Sequence, residues 1–199
     1  MTSDNIVIRP IFGDAELDHV HRLTHDAYVA RGLTARQANG RLRYFAGVEA
    51  VPENMVLVAT CEDAIVGTVS VTLDGPGGLS VDLDFKAACD AIRAEGPTIG
   101  CVWRIVTDPG LRTGVAVVLE LIRSAAFVLD RFGVDTALIQ LAPRHERVYQ
   151  RLLGFLPVAR TAALVELASP AVLMRVVVAE AVRRVPPHPN PHLAALGVE

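Results

Sequence analysis

With 199 residues the chain is long enough to bury a full core, and one domain over residues 1–178 followed by a tail over 179–199 is the expected organisation. Its hydrophobic fraction of 51% and mean hydropathy of +0.37 are high, yet no apolar run reaches the roughly 18 residues that a membrane helix requires. A net charge of −3 gives the whole molecule no electrostatic reason to seek nucleic acid or an anionic membrane, and MTSDNIVIRP lacks the basic, then apolar, start of a secretory signal, so cytoplasmic residence is expected. Cys61, Cys89 and Cys101 are odd in number and far apart, with no CxxC pair; they read as reduced, buried thiols, with no disulfide framework and no metal site.

Asn5 to Ile11 alternates as a half-buried strand. Leu17, Val20, Thr24, Ala27 and Tyr28 recur at helical spacing until Gly32, and Thr34 is placed to cap a second helix over Ala35 to Phe45. Met55 to Thr60 and Ile65 to Leu73 are β-branched stretches joined by four residues, which predicts a hairpin. After a GPGG break at Gly75 to Gly78, Phe85 to Ala94 reads as a short helix. Thr98 to Val106 then predicts a strand, Asp108 to Gly114 a turn, Val115 to Phe132 a long helix, and Val134 to Leu141 a parallel strand that completes a right-handed crossover. Arg144 to Leu153 predicts a helix closed by Gly154. Ala162 to Leu167 and Val172 to Val178 predict the last two strands, and the PPHPNPH segment a mobile end. The class this order implies is α+β, a mixed sheet flanked by helices.

Three features carry chemistry in this order. The turn from Gly110 to Ala116 offers free backbone N–H groups at a helix N-terminus, a site for phosphate; its alternative is a plain loop whose glycine lets the helix pack closely. Arg104 on the central strand, beside Trp103, needs a partner if buried, and Asp82 or Asp84 is available. Arg144, Arg147 and Arg151 recur at i, i+3 and i+7, either as a solvated face or as a docking stripe for an acidic partner.

VTDPGLRTGVA at Val106 to Ala116 resembles the acyl-CoA-binding turn of the GNAT acyltransferases, and VYQRLLGF at Val148 to Phe155 resembles the motif that follows it in that superfamily. With the SVDLDF segment, the VWRIVTDP strand and the closing SPAVLMRV, the chain is similar to the long-chain N-acyl amino acid synthases, a branch related to the acyl-homoserine-lactone synthases. The resemblance implies the GNAT fold and an N-acyltransferase that moves a fatty acyl group from a pantetheine thioester to an amine such as an amino acid. It implies no tightly bound cofactor: acyl-CoA or acyl-phosphopantetheine is a co-substrate, met by Val106, Arg112, Thr113, Gly114, Val115 and Ala116. An acyl carrier protein would dock on Arg144, Arg147 and Arg151. An ordinary acetyl-CoA-dependent N-acetyltransferase and a binding domain without turnover are the alternatives. Two positions depart from the pattern: Leu111 stands where the superfamily has Arg or Gln, and Cys101 where the synthase branch has a glutamate.

The resemblance places Tyr149 near the thioester sulfur as general acid; its alternative is a core tyrosine, since Val148 and Leu152 at i and i+4 mark a buried face. Arg104 falls in the catalytic cleft of the resembling synthases, where it orients the acceptor's carboxylate if it is not held structurally. For the base that takes the amine proton, His21 and His25, at i and i+4 with Asp26 nearby, are candidates and none is singled out; without an HExxH acid they are weak as a zinc pair. Ser70 and Ser80 lack a GxSxG context. The apolar surplus points to an acyl slot walled by Leu79, Val81, Leu83, Phe85, Ile92, Phe45 and Val48.

Overall fold

The computed structural model describes residues 6–167 and 169–196; Asn5, the expected first residue of the first strand, lies outside them. Seven strands form one sheet: β1 (Ile6–Pro10), β2 (Asn54–Cys61), β3 (Ala64–Leu73), β4 (Ile99–Thr107), β5 (Thr136–Leu141), β6 (Leu156–Thr161) and β7 (Ala171–Val177), in the order β1-β2-β3-β4-β5-β7-β6. Every neighbouring pair is antiparallel except β4 and β5. The β2–β3 hairpin turns through Glu62 and Asp63, both at positive φ, the two-residue geometry that matches strand twist.

Helix α1 (Gly13–Ala30), the single turn α2 (Ala46–Glu49) and α3 (Asp82–Ala94) cover one face of the sheet. Helices α4 (Gly114–Arg131) and α6 (Val178–Arg184) cover the other, with α5 (Glu146–Leu153) beside them. The two cores divide β4 between them: Cys101, Trp103 and Val106 belong to the first, Val102 and Ile105 to the second. Alternation therefore slips by one at Arg104, which sits at φ +52 where the β3–β4 register shifts.

Helix α4 seats directly on the sheet because two strand positions beneath it have no side chain. A Cβ on Gly67 would stand 2.9 Å from Val117 Cγ1, and one on Gly100 would stand 2.7 Å from Leu129 Cδ2.

Three expectations are corrected. Residues 35–45 are not a helix; their polar groups are drawn to α1 instead, with the Leu42 N–H donating to the His21 carbonyl (3.0 Å), the Gln37 N–H to His25 Nε2 (3.0 Å), and Arg41 pairing with Asp18. The strand expected at Ala162 to Leu167 is displaced to β6, which contains Pro157; proline is tolerated there because β6 is an edge strand. The C-terminal segment is packed rather than mobile. Its α6 lies on α4, and beyond it the Asn190 side chain caps α7 (Pro191–Ala194), donates to the Ile8 carbonyl at 2.8 Å, and brings the fully buried Leu193 into the core.

Gly100→Val should lower stability by about 1–3 kcal/mol, since Leu129 or the helix must shift to admit the new methyl groups. Denaturant midpoints will measure it, and an unchanged midpoint would show that α4 does not rest on Gly100.

Candidate active site

Strands β4 and β5 pair only over Ile99–Cys101 against Thr136–Leu138, and then part. Beyond that point β4 continues beside β3 and β5 beside β7, so backbone groups of β4 on the side facing β5 lose their strand partner. Such groups must be met by water or by a ligand. Arg104 and its positive φ lie in this diverging stretch.

Arg104 has no exposed side-chain surface. Its guanidinium donates to Glu49 on α2, gives two bonds to Ser70 Oγ on β3 (3.1 and 2.7 Å), and stacks 4.6 Å from the Trp103 ring. Glu49 Oε1 in turn meets His21 Nε2 at 2.8 Å, with Arg43 3.9 Å away. Burial pushes the Arg104 pKa down while Glu49 opposes it; for Glu49, burial pushes upward but Arg104 and His21 outweigh it and hold the carboxyl low. The partners expected for Arg104 are engaged elsewhere: Asp82 pairs with Arg93 at 2.7 Å, and Asp84 accepts from the Val165 N–H at 2.8 Å. Cys101, in the place of the absent glutamate, lies 3.3 Å from Ser80 Oγ with its thiol pushed up to about 12 by burial. The carboxylate that meets Arg104 therefore comes from α2 rather than from β4. Each guanidinium nitrogen of Arg104 thus has a hydrogen-bond partner within the protein.

At the start of α4 no side chain caps the helix. The Gly114 N–H bonds Leu111 O (3.3 Å) and the Ala116 N–H bonds Thr113 O (3.0 Å), whereas those of Arg112, Thr113 and Val115 find no acceptor among the described residues. Three of the five expected loop donors therefore remain available to a phosphate, together with the positive end of the helix dipole. Val106 lies outside this turn, on β4, with its side chain buried in the α1-side core.

Tyr149 and Leu153 form the inward face of α5, while Val148 and Leu152, expected to be buried, are about half exposed. Tyr149 packs edge-on against Phe155 (5.9 Å) and lines an apolar slot with Val102, Ile105, Ile139 and four alanines, Ala125, Ala126, Ala137 and Ala181. The slot is narrow, with a cavity volume of about 30 Å³, so a long chain would enter it only as its walls part. Burial raises the Tyr149 pKa, with the Arg31 charge offsetting part of the rise, so the phenol keeps its proton at neutral pH. Of the residues expected to wall a slot, Leu79, Val81, Phe85, Ile92, Phe45 and Val48 are buried together in the core of the opposite face, and Leu83 is exposed.

Gln140 on β5 donates to the Tyr44 hydroxyl at 3.3 Å, but its Oε1 is buried without a partner among the described residues, a state that costs roughly 1–3 kcal/mol unless a donor arrives. Arg144, Arg147 and Arg151 are exposed, and none lies within 4 Å of a carboxylate among the described residues; Arg144 sits on the 3₁₀ turn Pro143–His145, just ahead of α5. No cluster of three or more metal-ligating side chains occurs among the described residues, and no helix among them is long and apolar enough to cross a membrane.

The family model of the N-acyl amino acid synthase FeeM matches residues 19–177. Among solved structures, that of FeeM, an N-acyl amino acid synthase from uncultured soil microbes, is similar with a TM-score of 0.77 at 23% identity, over 91% of this chain and 95% of the other. The acyl-homoserine-lactone synthase LasI gives 0.66 at 16% identity over 91% and 93%, and the CoA-dependent acyl-homoserine-lactone synthase BjaI gives 0.61 at 19% over 96% and 97%. No curated protein matches. The mixed sheet that parts between β4 and β5 is accordingly the GNAT fold, and the chain belongs to the N-acyl amino acid synthase FeeM family, whose members are N-acyltransferases that join an acyl group to an amine.

Proposed function

We propose that the protein transfers a fatty acyl group of about twelve carbons or more from a pantetheine thioester to the amine of an amino acid, the range following from the burial arithmetic below. The observation that carries this is the apolar slot: its walls are hydrocarbon apart from Tyr149, and Val102, Ile105 and Ile139 bring it to the parting of β4 and β5. Each methylene taken from water contributes roughly 0.8 kcal/mol, so a long chain gains several kcal/mol over acetyl after ordering costs. The donor's phosphate rests on the free N–H groups of Arg112, Thr113 and Val115, and its amides meet the unpaired edge of β4 and Gln140 Oε1. The amine attacks the thioester carbonyl, β4 backbone N–H groups stabilise the oxyanion, and Tyr149 protonates the departing sulfur. CoA serves as carrier in this scheme, as in the CoA-dependent synthase BjaI; a carrier protein would dock on Arg144, Arg147 and Arg151.

Competition between acetyl and dodecanoyl donors for one amino acid should favour the long chain, and Ala181→Leu, which fills the slot, should shift preference toward short donors. A preference for acetyl in the unaltered protein would sink the long-chain assignment. Running the series on CoA and on carrier protein at two salt concentrations separates the donors, because a basic docking stripe weakens as salt rises.

Gly114→Val should fold, since a Cβ there meets only Thr107 Oγ1 at 3.4 Å, yet bind acyl-CoA more weakly. Retained affinity, read by calorimetry, would remove this turn from the site.

Tyr149→Phe should keep the slot and donor affinity but lose about 10²-fold in turnover, the lower end for a missing general acid. Undiminished turnover would assign the proton to water.

A further inference from the structure

An amine attacking a thioester must shed a proton, and several titratable side chains stand near Arg104 on the α1 face. Glu49 is a poor proton acceptor: Arg104 holds one oxygen, His21 Nε2 the other, and its carboxyl is held low. Tyr28 and Tyr44 keep their protons, since burial raises both. His25 is spent, because the Gln37 N–H occupies Nε2 at 3.0 Å and Asp26 meets Nδ1 at 2.9 Å. It is also wholly buried.

His21 differs from each of them. An ionised carboxylate only accepts hydrogen bonds, so the contact with Glu49 Oε1 places the imidazole proton on Nε2 and leaves the lone pair on Nδ1. Among the described residues no protein group bonds Nδ1, and the residue keeps a small exposed surface. Its orientation is fixed from two sides: Glu49 anchored by Arg104, and the backbone by the Leu42 N–H on the His21 carbonyl. The charged groups around it are Asp18 on α1, itself paired with Arg22 and Arg41, Glu49 on α2, Arg43 ahead of α2, and Arg104 on β4.

We propose that His21 Nδ1 is the base that takes the acceptor's proton, with Glu49 and Arg104 as its positioning residues. The inference rests on the acyl transfer proposed above. The amine nitrogen bonds the thioester carbon as its proton passes to Nδ1, the C–S bond breaks with its electron pair leaving on sulfur, and sulfur takes the Tyr149 proton. Imidazolium then releases a proton to solvent, and the tyrosinate regains one from it.

His21→Gln keeps an N–H for Glu49 but has no basic nitrogen. It should bind acyl-CoA as the unaltered protein does and lose about 10²-fold in kcat with an amino acid acceptor. The variant should also lose the acidic limb of the kcat/KM pH profile and recover part of its rate with added imidazole. A merely structural histidine would leave the pH profile in place and give no imidazole rescue. Full turnover by His21→Gln, beside an active unaltered enzyme, overturns the base assignment alone; an unaltered enzyme inactive with every amine overturns the acyl transfer as well. Should the variant fail to fold, ¹⁵N resonances of His21 in the unaltered protein decide: the Nε2–H tautomer is expected, and Nδ1–H overturns the proposal.

Discussion

A guanidinium with no exposed surface stays in a protein interior only if a carboxylate and good hydrogen-bond acceptors come to it. Arg104 imposes that condition on the centre of the sheet, and the α1 face is arranged to satisfy it. Ser70 is supplied by the adjacent strand, but Glu49 must be carried in from outside the sheet. Delivering it requires α2 to sit over β4, and α2 is held there by residues 31–45, which run back across α1 through the Leu42–His21, Gln37–His25 and Arg41–Asp18 contacts. One buried charge thereby ties the single turn α2 and the irregular residues 31–45 to α1 and the sheet. Removing a single partner of such a pair typically costs about 3–5 kcal/mol, because the remaining charge is stranded.

The same bulge sorts the chemistry between the faces. Because the alternation slips at Arg104, the charged network lies on the α1 side while Ile105 is turned toward α4 and the apolar slot. The charged network and the apolar slot thus occupy opposite sides of one strand, along the stretch where β4 has parted from β5.

The strands that pair locally and the long crossover helix were legible because their signals are local: the β2–β3 hairpin with its Glu62-Asp63 turn, and the periodicity of α4 between two apolar runs. The order β5-β7-β6 was not, since Pro157 disguises an edge strand and only tertiary pairing places β7 inside it. Glu49 carries no local mark either, as its partner is 55 residues away. Large apolar residues suggest a slot in the sequence, but in the fold they fill space. The actual void is lined by Ala125, Ala126, Ala137 and Ala181, which in sequence look like ordinary helix and strand formers. Sequence context marks Tyr149 and the loop before α4 as candidates, while the periodicity of α5 points to Val148 and Leu152, the face that the fold exposes.

The packing of the C-terminal segment also bears on self-association. An edge strand offers its unpaired backbone to any other chain, and the two edges of this sheet answer that hazard by different means. At β6 the deterrent is chemical and partial: Pro157 lacks an N–H, yet Leu156 and Val158 stand in solvent. At β1 it is a cover, with α7 against the strand and Asn190 holding the Ile8 carbonyl. The last residues of the described chain therefore act as a guard on the first strand, keeping its backbone from pairing with another chain.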